Sequence, residues 1–221
     1  MFIEGLDGFD REEDLRGKLH PLAKKLFTSG YPLEACVLIL ATWNTARFRM
    51  FLKTFSLENF RVVLTRTIEE LELLSNASLE TINLEKEGHL IATSFDQFNR
   101  IKGIEATGSS KVLHLINGNL FVMWDSYIRG EKATKDYQGV LRPGVTVKKY
   151  QKTGADYVRF LGDCRFYIPF VDRTRDRTVA KQIDEVNYYY VTVPLIKLEK
   201  TRAKNKKRRS TAAFRRRAEV R

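Results

Sequence analysis

The residue types best suited to chemistry lie between Lys102 and Arg129, in the stretch KGIEATGSSKVLHLINGNLFVMWDSYIR. Gly103 and Gly108 bracket a short polar turn, and an apolar helical pattern follows through Val112, Leu113, Leu115 and Ile116. A glycine turn lets a backbone approach a ligand closely, and a helix N-terminus carries partial positive charge. Together they point amide N–H groups at a phosphate, with Lys102, Gly103, Gly108, Ser109 and Ser110 as the contacts. His114 lies three residues beyond Lys111, so the two can line one cleft if the segment is helical. Trp124 is the size and shape needed to stack on an extruded base. Each feature has a plainer reading: a helix connection that only packs, a satisfied half-buried histidine, a core tryptophan.

The elements that must position these residues read as helices. Leu15, Leu19, Leu22, Leu26 and Phe27 recur near a 3.6-residue period and predict a helix over 10–29, with Pro21 as a break or first-turn position. Gly30-Tyr31-Pro32 ends it, and the longest apolar pattern runs from Leu33 to Phe55, where Trp43, Asn44 and Arg47 interrupt the apolar face. Ser56 caps a further helix containing Phe60, Val63, Leu64 and Ile68. Residues 78–84 fit a short helix, and Leu90, Ile91, Phe95 and Phe98 share one side of a segment that ends at Lys102-Gly103. Downstream, 130–154 is charged and glycine-containing, with a brief alternation at Val145-Thr146-Val147 that fits a small hairpin or an ordered loop. Helical spacing resumes over 155–170 and 176–190, with Tyr188 to Val193 readable as helix or short strand and helix preferred. The predicted fold class is all-α: a helical domain over 1–199 followed by a basic tail over 200–221.

Composition narrows the function. Hydrophobic residues at 43% and charged residues at 30% are those of a globular chain, and no apolar run approaches the roughly 20 residues of a membrane helix. Two cysteines, Cys36 and Cys164, and three widely spaced histidines give no metal-ligand spacing, so neither a metal nor another cofactor is expected. The acidic beginning, MFIEGLDGFDREED, lacks a basic-then-apolar leader and predicts a cytoplasmic or nucleoid-associated protein. The net charge of +12 is concentrated at one end. Residues 200–221 hold eleven Lys or Arg against one Glu, for +10, leaving +2 on residues 1–199. A stretch such as KNKKRRSTAAFRRR cannot bury enough apolar surface to order itself, which predicts a mobile or partly helical tail. Lys206, Lys207, Arg208, Arg209, Arg215, Arg216 and Arg217 suit sequence-independent contact with a phosphate backbone, or serve only to keep the chain soluble.

From Gly103-Ile104-Glu105-Ala106-Thr107 to Phe121-Val122-Met123-Trp124-Asp125, the chain resembles the helix-hairpin-helix DNA glycosylase superfamily, in particular its 8-oxoguanine glycosylase-like members. The match covers roughly an eighth of the chain. By this resemblance Gly103 stands at the first hairpin glycine, Glu105 at the second and Asp125 at the catalytic aspartate. The lysine of the lyase-type members falls on Thr107, while Lys111 lies one helical turn further on. The resemblance implies that Asp125 stabilises an oxocarbenium ion or activates water, and that Lys111 is the candidate Schiff-base nucleophile. The expected function is DNA binding of the base-excision repair type, with hydrolysis of the N-glycosidic bond of a damaged base as the implied reaction. The alternative is a non-catalytic helical protein that binds nucleic acid, or the ribosome, through hairpin and tail. DNA is preferred to RNA as the partner.

Overall fold

The computed structural model describes residues 1–12, 19–43, 56–131, 141, 145 and 147–205. Among these residues the protein is helical and contains no strand. The α-helices are α1 (Phe2–Arg11), α2 (Leu19–Thr28), α3 (Pro32–Trp43), α4 (Leu57–Glu70), α5 (Leu84–Asn99), α6 (Glu105–Ile116), α7 (Gly154–Cys164) and α8 (Val179–Asn187). A 3₁₀ turn over Arg165–Phe170 follows α7, and a π-helical turn over Tyr188–Thr192 follows α8. Helix then continues through 193–205, past the position where the basic tail was expected to begin. None of these helices is long and apolar enough to cross a membrane.

Local signals set most helix starts. The Asn59 N–H donates to Ser56 Oγ at 3.1 Å, and Phe60, Leu64 and Thr67 then bury one face of α4. Asn83 caps α5 by accepting from the Glu85 and Lys86 amides, both at 3.1 Å, while Glu87 reaches back to the Asn83 N–H at 3.0 Å. That reciprocal arrangement satisfies first-turn donors that lack intrahelical acceptors. Thr153 and Thr178 cap α7 and α8 through their hydroxyls, which accept from the Asp156 and Lys181 amides.

The core packs α6 and α7 against α5. Gly154, at the start of α7, makes the closest approach: a Cβ there would lie 2.1 Å from the Ala92 carbonyl oxygen of α5. Trp124 sits in the aromatic centre, with ring centroids 5.1 Å from Tyr157, 5.1 Å from Phe160 and 5.7 Å from Phe95. On the other side, α1 lies on α8 and the π turn. Its Gly5 and Gly8 face Tyr190 and Tyr189 so closely that added Cβ atoms would reach 2.7 Å and 2.2 Å from those rings.

Several expectations require correction. The predicted 10–29 helix is two elements, and the first begins at Phe2. Residues 78–83 form turns in which Thr81 Oγ1 accepts from the Ser78 N–H, so no helix forms there. The long 33–55 pattern is described only as far as α3; 44–55, including Asn44 and Arg47, lie outside the described residues, as do 132–140, 142–144 and 146 of the 130–154 segment. The tail cations Lys206, Lys207, Arg208, Arg209, Arg215, Arg216 and Arg217 also lie outside them.

Candidate functional site

The α5–α6 connection is a tight turn. Ile101 N–H donates to Phe98 O and Ile104 N–H to Ile101 O, both at 3.0 Å, and Gly103 takes φ +95°. Lys102 is exposed at its tip, whereas Gly103 is buried. Glu105, at the second hairpin position, has φ +49°, a left-handed conformation that favours glycine and disfavours any residue with a Cβ.

Gly108 is not part of that turn. It lies inside α6, where a Cβ would come 2.7 Å from Ile104 Cγ2 and 3.0 Å from Leu40 Cδ2, so its bare surface brings α6 against α3. Ser109 and Ser110 are fully buried in the same helix, which corrects their assignment as phosphate contacts. Ser109 Oγ donates to Glu105 O at 2.7 Å. Ser110 Oγ accepts from the Trp124 N–H at 3.1 Å and lies 3.2 Å from Trp124 O, stitching the apolar 121–125 run onto α6. Such side-chain pairing matters because the run has no strand partner, and buried backbone groups need one. Tyr157 adds to it by donating from its hydroxyl to Val122 O at 2.9 Å.

Trp124 is 1% exposed and donates from Nε1 to Ala106 O at 3.1 Å, so it is a core residue and no base can stack on it in this arrangement. Lys111 is buried in the middle of α6. Asp125 is half-buried, and both carboxylate oxygens are engaged: Oδ1 accepts from the Tyr127 and Ile128 amides at 2.8 and 2.9 Å, and Oδ2 accepts from Thr192 Oγ1 at 2.7 Å. Asp125 thereby caps a single turn over 126–131 and ties it to the π turn.

Sequence reasoning missed Arg129. Its side chain is fully buried, with Nη1 donating to Thr107 Oγ1 at 2.9 Å, Nη2 paired to Glu131 at 2.8 Å and the guanidinium 5.5 Å from the Trp124 ring centroid. Burial would push the Glu131 carboxyl up, but hydrogen bonds from Lys152 and Arg129 outweigh it and hold the group below the ordinary glutamate range. Thr107, at the expected lysine position, is therefore an acceptor for a buried arginine. A buried guanidinium needs such partners, yet no local spacing marks where they will come from.

His114 belongs to a second polar centre. Its Nδ1 lies 2.6 Å from Phe121 O, an acceptor, so Nδ1 carries the proton. The ring of His20 from α2 is 5.1 Å away, and Lys181 of α8 pairs with Asp184 at 3.0 Å and Glu185 at 3.5 Å. Burial and then Lys181 lower the His114 pKa to about 4, while burial followed by His114 and Lys181 lowers that of His20 to about 2. Two neutral imidazoles beside an ion-paired lysine form an interior polar contact between α2, α6 and α8.

The open charged features lie elsewhere. Lys197, Lys200, Arg202 and Lys204 are exposed along the last helical stretch, with Lys197 paired at 2.6 Å to Glu12, the residue that follows α1. Between α7 and α8 the segment Asp172-Arg173-Thr174-Arg175-Asp176-Arg177 borders a cleft of about 270 Å³. No family model matches the chain, and neither a curated protein nor a solved structure matches it.

Proposed function

We propose that the protein is a helical nucleic-acid-binding protein, with DNA preferred, that holds phosphates through the basic end of its last helix and does not cleave the glycosidic bond. The supporting observation is the helix over 193–205, which presents Lys197, Lys200, Arg202 and Lys204 to solvent and leads directly into the arginine-rich terminus. A cation track of this kind attracts a polyanion through counterion release, independently of sequence. Lys102, exposed on the turn before α6, adds one further contact.

The non-catalytic form has the better support at the Asp125 centre. The carboxylate already accepts three hydrogen bonds, Thr107 is bound to Arg129, and Lys111 is enclosed by the helix packing. A monofunctional glycosylase is the second reading, favoured by the half-buried rather than enclosed position of Asp125.

Anisotropy titrations of a labelled duplex across a salt series test the binding. Deleting 200–221 should lower affinity at least about tenfold and flatten the dependence of log K on log salt by several units. Equal affinity and slope in the truncated protein would refute the phosphate track. Duplexes carrying single lesions, including 8-oxoguanine, with alkali treatment and borohydride trapping, test the chemistry. No strand cleavage is expected, whereas alkali-dependent cleavage lost in Asp125→Asn would establish the second reading, and a trapped adduct lost in Lys111→Ala would establish a lyase.

A further inference from the structure

Two large aromatic side chains stand out on the surface beside the arginine cleft. Phe166 is 71% exposed and Phe170 52% exposed, and their ring centroids are 6.0 Å apart. Single exposed apolar residues are ordinary on protein surfaces, but an adjacent aromatic pair on a firmly anchored turn is not explained by packing. The anchoring is extensive. Arg165 donates to the carbonyls of Leu79, Glu80 and Ile82 at 2.9, 3.0 and 2.7 Å, and Tyr167 meets Phe166 edge-on at 5.6 Å. Pro169 stiffens the same turn.

The turn leads directly into a cleft wall that carries three arginines, each paired with carboxylates. Val171, the next residue after Phe170, lines the cleft together with Arg173, Arg175 and Arg177. Carboxylates orient all three guanidinium groups. Arg173 Nη1 and Nη2 donate to Glu80 at 3.1 and 2.7 Å; Arg175 meets Asp7 and Asp10; Arg177 meets Asp10 and Glu185. A guanidinium has five N–H donors, so Arg173, whose side chain is 58% exposed, retains donors for a further acceptor after binding Glu80.

We propose that Phe166 and Phe170, with Arg173 at the rim of the adjoining cleft, form a platform for a single-stranded nucleic-acid segment, its bases stacked on the rings and a backbone phosphate on the guanidinium. This rests on the nucleic-acid reading above and assigns it a second, strand-selective site. The chemistry favours a single strand because its bases expose their π-faces, while those of a duplex are already stacked on each other. Stacking on aromatic side chains tolerates any base, and Arg173 supplies one contact to the backbone.

The test uses the full chain, a labelled oligo-dT of about 12 nucleotides and a duplex of the same length, followed by anisotropy across a salt series. Phe166→Ala/Phe170→Ala should weaken oligo-dT binding at least about fivefold, with the salt slope unchanged and duplex affinity within about twofold. Phe166→Leu/Phe170→Leu, which keeps apolar volume and removes the π-face, should show a loss in the same direction. Arg173→Gln should reduce the oligo-dT salt slope by about 0.7. Circular dichroism establishes that each variant is folded, and the leucine pair decides the matter if the alanine pair does not fold. Unchanged oligo-dT affinity in a folded platform variant overturns the proposal, as does an equal loss on duplex. Loss of self-association in sedimentation, with oligo-dT affinity unchanged, also overturns it and makes the patch a contact between copies. If the wild type binds neither probe, the nucleic-acid reading fails as a whole; if it binds duplex through 200–221 and oligo-dT regardless of the rings, only the platform fails.

Discussion

Replacing His114 by Asn removes a titrating ring from the α2–α6–α8 contact while leaving an amide donor on the same side chain. The folded ring has its pKa held down to about 4 by burial, with Lys181 and Lys24 pushing the same way and the Phe121 hydrogen bond and Asp184 opposing them. In the unfolded chain it titrates near about 6.5. The unfolded state therefore binds more protons between these values, and the contribution of a neutral His114 is complete above about pH 6.5 and lost as pH falls toward 4. Between about pH 7.5 and pH 5 the loss is about 2 kcal/mol, a lower limit on what acid does to this centre because His20 shifts in the same direction.

Other groups titrate here too, so the comparison must be differential. Burial raises the Glu185 pKa, which works in the opposite sense: the folded protein holds that proton more tightly, and stability falls as pH rises through its range. Glu185 and His20 remain in both proteins. Urea unfolding of wild type and His114→Asn at a series of pH values removes most of their effect by subtraction. Whatever packing the substitution costs is an offset independent of pH. The stability advantage of wild type should shrink by about 2 kcal/mol from about pH 7.5 to pH 5. Parallel curves would refute the buried neutral imidazole, and an advantage that grows on acidification would mean that the folded protein stabilises the charged ring.

Gly154→Ala should lower stability by about 3 kcal/mol in urea unfolding, because the added methyl would lie 2.1 Å from a backbone oxygen of α5 that cannot turn aside; a loss below about 1 kcal/mol would show that α7 can slide. At Glu105, φ +49° costs any residue with a Cβ, so Glu105→Gly should be more stable than Glu105→Ala by about 1 kcal/mol, and an alanine variant of equal or greater stability would contradict the left-handed conformation. Asp10→Asn removes ion pairs to Arg175 at 2.7 Å and Arg177 at 2.6 Å. Amide exchange in α1 should accelerate at least about fivefold with exchange in α6 unchanged, whereas equal acceleration in both would mean that α1 opens only with the whole fold.

The sequence carried the helical class because most helices announce themselves locally. Ser56 and Asn83 stand at caps, and Phe60 and Leu64, or Ile91, Phe95 and Phe98, follow at helical spacing. α1 gave a poor local signal because Gly5 and Gly8 lower helix propensity, and the reason for them lies far along the chain in Tyr190 and Tyr189. Gly108 misled for a related cause: a glycine after a polar stretch looks the same whether it makes a turn or admits Leu40 of a neighbouring helix. At Asp125 and Thr107 the occupancy is set by Thr192 and Arg129, which come from positions that no spacing rule connects.

At the surface, a stricter count of turns locates Phe166. Phe166 lies about two and a half helical turns beyond Tyr157, opposite the face on which Tyr157, Phe160 and Leu161 are buried, so a strict helical period already sets it outside the core although it belongs to an apolar-rich segment. The backbone tightens from α to 3₁₀ at Arg165, where the side chain is drawn onto three carbonyls of the 79–82 turn. Phe166 and Phe170 stay on the side turned away from the α7 core, and what the sequence leaves hidden is the anchor: the hydrogen bonds of Arg165 to a turn more than eighty residues earlier hold these rings on an ordered surface.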